Sequence, residues 1–393
     1  MANNHLKIHK GLNLAPQSSA PSSPNNGDIY YDSSLAKFRK YENGVWSDLD
    51  SGSVERKNII INSNFDFWQR GSASISLTSG VRADRFHTWR AGTTAPPTIT
   101  VAQSTDVPDS ISTYSLKHTD DGAGVSIGTD AYRKINYTVE GYDAQQLVGK
   151  VFTLSFYVKS SVTGTYCVAF KNSGKDKSYI AEYTVNVANT WEKKDITIGS
   201  VVPTAGTWDY TTGVGLEVAW VLAAGTNYQT TADAWQSGNY FSTSSQVNWL
   251  SGGGATFYLS QVQLAPNTTS IEYRRAGITI AEELSLCQRY YEKSYALTTV
   301  PGTATSIGSM IFLRTDGGGG STFPFNTRKR VAPTMVVYSP SGSSGVTKNL
   351  VTTADTSSTP SGTEANFYMA ISAAASLTAY QGHFTADAGL SVS

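Results

Sequence analysis

The chain of 393 residues carries 30 basic and 30 acidic side chains, so its formal charge is zero, and no block of one sign offers a broad grip on nucleic acid or anionic lipid. That length suits two or three domains, each with its own core. Only 15% of residues are charged, and the lean towards Gly, Ser, Thr, Tyr and Trp predicts short strands joined by polar turns, an all-β protein.

The N-terminal MANNHLKIHKG lacks the apolar h-region of a secretory signal, and no run of 18 apolar residues occurs. The expectation is a soluble protein with no cleaved signal and no membrane insertion. Residues 11–27, GLNLAPQSSAPSSPNNG, have no periodic apolar pattern and read as an extended arm that orders only against a partner. GDIYYD, KFRKYE and VWSDL then read as three strands, with Asn43-Gly44 as a type I′ hairpin turn between the last two. So small a sheet encloses little. With Ile29, Tyr31, Phe38, Tyr41 and Trp46 to cover, it needs a further layer from a copy of itself, from a larger host structure, or from the domain that follows.

From Asn58 the texture changes. Runs such as TITVAQ, YRKINYTVE, VFTLSFYVKSS, TYCVAFKN, GVGLEVAWVLAA and ATFYLSQVQLA recur every 10 to 20 residues between Gly, Asn, Ser and Pro, the rhythm of a sandwich or jelly roll over about residues 58–275. In VFTLSFYVKS, Val151, Thr153, Ser155 and Tyr157 alternate with Phe152, Leu154, Phe156 and Val158, and the second set is the core face. Trp220, inside GLEVAWVLAA, belongs to the core. TIAEELSLCQRYYEKSY reads as one helix: Thr279 and Glu282 make a capping box, Lys293 sits in the last turn, and Ile280, Leu284, Cys287 and Tyr291 form an apolar stripe. That stripe packs either on its own sandwich or on symmetry mates about a threefold axis. After Tyr295 a second β region ends the chain, and the GGGG of residues 317–320 is a flexible turn, since no Gly-Lys-Ser/Thr follows it. The resulting domains are 1–57, an arm with a small meander; 58–294, a jelly-roll sandwich closed by the helix; and 295–393, a small β-sandwich.

Little of this pattern is catalytic. Cys167 and Cys287 are distant and read as reduced, packed thiols. His5 and His9 have helical spacing but stand in an unpatterned arm; His87, His118 and His383 are isolated and read as structural imidazoles. Asp120, Asp121 and Gly122 resemble part of a calcium loop, yet the further spaced ligands are missing and the stretch reads as a turn. No metal, cofactor or catalytic residue is expected. The aromatics in the Gly- and Ser-rich stretch 203–254 are more suggestive, because loops on a rigid sandwich carry binding residues. Trp208, Asp209, Trp235, Asn239 and Tyr240 form the candidate glycan-contacting patch, with a protein interface or plain core as the competing reading.

Several segments taken together, NIIINSNFDFWQRG, ADRF, YLSQVQLAPN, IEYRR, EELSLCQRYYEKS, KRVAPTMVVYSP and GHFTADAGL, resemble bacteriophage virion fibre proteins of the tail-fibre, receptor-binding or minor structural type. The opening GDIYYDSSLAKFRKYENGVWSDL is similar to a module at the virion-attached end of such proteins. The resemblance implies a homotrimer in the virion, assembled in the host cytoplasm, joined to other virion proteins through its N-terminal arm, and carrying a carbohydrate-binding-module-like jelly roll that meets host-surface glycan. Ile29, Tyr31, Phe38, Tyr41 and Trp46 are then the contacts between copies or with the particle. Without a Gly-X-Y tract, long heptads or a β-helix repeat, a short fibre or knobbed decoration is the better picture, and a purely architectural decoration or a polysaccharide depolymerase are the alternatives.

Overall fold

The computed structural model describes residues 14–35, 37–42, 44–49, 58–94, 96–199, 203–314, 320–371 and 378–390. His5, His9, Asn43 and Gly317 to Gly319, on which expectations rested, lie outside the described residues, as does the start of the arm. The chain divides into two compact units, residues 1–56 and residues 57–393.

The first unit is the expected meander: β1 (Ile29–Asp32), β2 (Lys37–Glu42) and β3 (Val45–Asp48), antiparallel throughout. Register sorts its aromatics onto opposite faces. Tyr31 stands opposite Phe38, and Tyr41 opposite Trp46, on strands where successive side chains alternate. Tyr30, Tyr41 and Trp46 therefore share one face, with Tyr30 and Trp46 edge to face at 4.6 Å, while Ile29, Tyr31 and Phe38 share the other. Ile29 and Phe38 remain 42% and 48% exposed. The arm, expected to order only on a partner, touches its own sheet: the Gln17 N–H donates to Tyr31 O at 3.0 Å and Ser33 N–H donates to Gln17 O at 2.8 Å. An edge strand leaves those backbone groups open for pairing.

The second unit opens with a sandwich of thirteen strands: β4 (Ile75–Leu77), β5 (Gly80–Val81), β6 (Phe86–Ala91), β7 (Ile99–Ser104), β8 (Ser115–Asp120), β9 (Tyr132–Glu140), β10 (Phe152–Ser160), β11 (Gly164–Lys171), β12 (Lys177–Val185), β13 (Glu192–Ile198), β14 (Val214–Ala224), β15 (Trp235–Ser237) and β16 (Thr256–Ala265). One sheet has the order β13-β10-β16-β8-β7-β4 and the other β15-β12-β11-β14-β9-β6-β5. Phe152, Leu154, Phe156 and Val158 all point into the core between the sheets, where Trp220 is fully buried. The alternate set is not left wet: Thr153 and Ser155 are also buried, Thr153 bonding Asn267 O at 2.8 Å in the segment beyond β16.

Residues Asn58 to Trp68 form no strand, yet almost all are buried. Two asparagines knot them in place. Asn58 donates to Val262 O and Arg274 O and accepts from the Ile60 and Leu264 N–H groups, while Asn62, at φ 57°, donates to Phe67 O and Asp84 O. Side-chain amides thus satisfy a buried loop that has no ladder to do so.

The helix is shorter than predicted, Ile280–Gln288, and its capping box between Thr279 and Glu282 is present. Tyr291–Lys293 is instead a strand, β17, pairing with Asp387 to Thr385, so Lys293 is not in the last helical turn; its Nζ donates to Leu297 O at 2.9 Å. Aromatic residues favour a pleated, half-buried surface, and here a partner strand is available. The predicted stripe is also revised: Ile280 is exposed, and the inward face is Glu283 and Cys287, the Glu283 carboxylate accepting the Asn62 and Gly277 N–H groups. Cys287 and Leu284 pack with Ile61, Phe67 and Leu390 of the same chain.

β18 (Met310–Arg314), β19 (Ser321–Pro324), β20 (Thr334–Tyr338), β21 (Val346–Asn349), β22 (Asp355–Gly362), β23 (Asn366–Ile371) and β24 (Thr378–Asp387) complete the last sheet with β17. Long β24 pairs with β17, β18, β20 and β21, and Phe312, Phe367, Tyr380 and Phe384 form a core of its own beside it. Both cysteines are free and buried, Cys167 in β11 and Cys287 in the helix.

Candidate functional site

Three loop segments meet at the β15 edge of the seven-stranded sheet. The turn between β11 and β12 is held by Asn172, whose Oδ1 accepts the Asp176 and Lys177 N–H groups. Asp176 in turn accepts Thr207 N–H, and its backbone O accepts Gly238 N–H at 3.0 Å. Residues 203–210 and 235–240 are thereby brought together, although 24 residues of other structure intervene in sequence.

On this frame stand Trp208, Tyr210 and Trp235, all half-buried. Trp208 and Trp235 rest on the sandwich core, which fixes their rings. The planes of Trp208 and Tyr210 are parallel to within 3° at 6.2 Å, and Trp235 meets Trp208 edge to face at 5.8 Å and Tyr179 at 5.6 Å. Nε1 of Trp208 donates to Ala205 O at 3.1 Å. The outcome is a rigid apolar surface rimmed by Lys177, which donates to Ser237 Oγ at 2.8 Å.

The other members of the predicted patch take different places. Asp209 is turned into its own loop, its Oδ1 accepting Thr211 N–H and Oγ1 at 2.7 Å, and these bonds hold its carboxyl below the usual range. A Cβ at Gly213 would fall 1.8 Å from its Oδ2, so a larger residue there would displace the Asp209 carboxylate. Asn239 accepts from Lys171 Nζ at 2.8 Å. Lys171 and Lys134 flank buried Glu217, beneath the ring of Phe241, and burial pushes the Lys171 ammonium down to about 7 against the pull of Glu217. Tyr240 packs with Tyr228 and Phe241 over the outer face of the sheet, and Trp249 is core. The structure therefore joins Trp208 and Trp235, adds Tyr210 and Tyr179, and assigns Asp209 and Tyr240 to packing. Tyr210 was legible as the i+2 neighbour of Trp208; Tyr179 reads only as one residue of an alternating strand.

The remaining polar candidates are bonded within the fold. Asp120 accepts Gly122 N–H, and Asp121 accepts Ser76 Oγ and Thr100 Oγ1. His118 bonds Thr88 Oγ1 at 2.7 Å, and His383 bonds Ser294 and Thr305 while stacking on Tyr295. Among the described residues no group of three or more His, Cys, Asp or Glu converges on one point.

No protein-family model and no curated protein matches the chain. Among solved structures it is similar over 53% of its length to 21% of the enzymatically active domain of bacteriophage CBA120 tailspike protein 4, at 15% identity and a TM-score of 0.27. It is similar over 54% of its length to 99% of the module TmCBM61 in complex with β-1,4-galactotriose, at 10% identity and a TM-score of 0.26. The family 11 carbohydrate-binding module from Clostridium thermocellum, in complex with a mixed-linked tetrasaccharide, is matched over 98% of its length by 50% of the chain, at 12% identity and a TM-score of 0.26.

Proposed function

We propose that the protein is a virion fibre component that binds host-surface glycan without cleaving it, through the Trp208, Tyr210 and Trp235 surface. The observation that carries this reading is the rigid aromatic group itself. Its rings are anchored in the core yet half-exposed at a sheet edge, so a sugar ring that lays its C–H face on them is desolvated with little ordering cost to the protein. Lys177 supplies a polar partner for hydroxyls at the rim. The nearby carboxylates favour binding over hydrolysis. Asp176 and Asp209 are both held below their ordinary pKa by hydrogen bonds from Asn172 and Thr211, whereas a glycosidic general acid needs a raised one.

Membership of a virion rests on the resemblance of the sequence segments, and self-association is supported by apolar surface left open: Ile29, Phe38, Val45 and Leu49 on the first unit, Ile311 and Leu313 on β18. In this reading the first unit attaches to other virion proteins and to its copies, and the second meets the cell.

Glycan-array binding by the full chain tests the proposal. Trp208→Ala is expected to lower affinity for a bound neutral glycan by about tenfold or more, ~1.4 kcal/mol, while leaving the thermal unfolding midpoint within a few degrees. Release of reducing ends from capsular or lipopolysaccharide sugar by the wild type would make it a depolymerase instead.

A further inference from the structure

Between the β5–β6 edge of the sandwich and the last sheet lies a cavity of about 400 Å³, well away in sequence from the aromatic surface. Arg85 lines it in an unusual state. Its backbone is held at φ 75°, it is 4% exposed, and no carboxylate pairs with it among the described residues. The guanidinium lies 3.5 Å over the ring of Tyr290 and 5.1 Å from that of Tyr137, Nη2 donates to Thr138 O, and Nε is buried with no acceptor among the described residues. Burying a cation so incompletely bonded is costly, and ring faces offset only part of that.

The neighbouring cation is already spoken for. Arg70 pairs with Asp387 at 2.7 Å and Asp84 at 3.6 Å and lies 3.7 Å over the Tyr291 ring. Arg70 takes both Asp84 and Asp387, so Arg85 is left without a carboxylate partner among the described residues. His87 also lines the cavity and stands opposite Asn136, a fully buried amide whose oxygen and nitrogen have no partner among the described residues.

We infer that this cavity is a binding site for a compact polyhydroxylated carboxylate, an acidic sugar residue of the uronic or sialic type. The planar fork of Arg85 matches a carboxylate in two parallel N–H···O bonds. Asp387, exposed at the cavity, accepts from sugar hydroxyls, and the tyrosine rings form apolar walls. The site is independent of the Trp208 surface, so either one can fail without the other.

Calorimetric titration of the full chain with D-glucuronate, N-acetylneuraminate, D-glucose and acetate tests it. Either acidic sugar is expected to bind at least tenfold more tightly than both glucose and acetate. Arg85→Lys, which keeps the charge but loses the fork, is expected to weaken that binding about tenfold or more, and Trp208→Ala to leave it unchanged. Thr334→Trp fills the cavity from an exposed position on β20 and is expected to abolish binding even if Arg85→Lys proves unstable. No binding of either acid at about 10 mM, equal binding of glucose or acetate, or undiminished binding by Thr334→Trp each overturns the inference. An oligosaccharide ending in the acid that binds as well as the free acid assigns the site to glycan termini; binding of the free acid alone assigns it to a free metabolite.

Discussion

His118 shows what a single buried side chain costs this protein. It is fully buried, its Nε2 bonds Thr88, its Nδ1 has no partner among the described residues, and burial, aided by Arg133, pushes its pKa down to about 3. Because the folded state resists the proton that the unfolded chain accepts near pH 6.5, the unfolded state binds more protons in that window and stability falls as pH falls. Between pH 6.5 and about 3 the loss from this residue is about 1.4 kcal/mol per pH unit. Urea unfolding at pH 7.5, 6.0 and 4.5 is expected to show a shallower acid decline for His118→Gln than for wild type; identical slopes would refute the assignment. Glu283 and Glu217 make the same point with acids. Each is fully buried, and each holds a specific set of donors, backbone N–H groups in one case and two ammonium groups in the other.

At the scale of elements, local chemistry is decisive at helix starts and weak at their ends. The capping box satisfies the first N–H groups reciprocally, with Thr279 Oγ1 accepting Glu282 N–H and the Glu282 carboxylate accepting Thr279 N–H. Thr279→Ala is expected to destabilise the second unit by about 1 kcal/mol in urea unfolding, and a change below a few tenths would show the cap to be idle. No such signal marks Gln288 as the end. The chain leaves the helix there because Tyr290 and Tyr291 have places waiting, Tyr290 under Arg85 and Tyr291 on β24 beneath Arg70. Leu284 and Cys287 of the stripe pack inward as spaced, but Ile280 is exposed and Glu283, with two backbone donors to satisfy, shares the inward face.

For the whole molecule, the division at residue 56 makes a direct test possible. Residues 57–393 are expected to fold and to keep any glycan binding, while no longer joining virions. Full-length protein is expected to sediment as a trimer, and Phe38→Asp with Val45→Asp, both on the open face of the meander, to shift it to smaller species. A stable monomer of the full chain at micromolar concentration would remove the self-association proposal, and normal virion incorporation of 57–393 would remove the anchor.

What the sequence determined by itself is what near neighbours settle: the all-β class, the three short strands of the meander, the inward set Phe152, Leu154, Phe156 and Val158, and the cap at Thr279. Period-two alternation and capping act over a few residues, so they can be read along the chain. Only the tertiary structure decided which aromatics share a face. Cross-strand register sends Tyr31 and Phe38 one way and Tyr41 and Trp46 the other, and loop closure brings Trp208 to Trp235 while withdrawing Asp209. The cavity is the extreme case, since Arg70, Arg85, Tyr290 and Asp387 have no common pattern in sequence. They meet because the last sheet folds back on the edge of the first sandwich, and burial then makes a guanidinium with no carboxylate partner among the described residues matter.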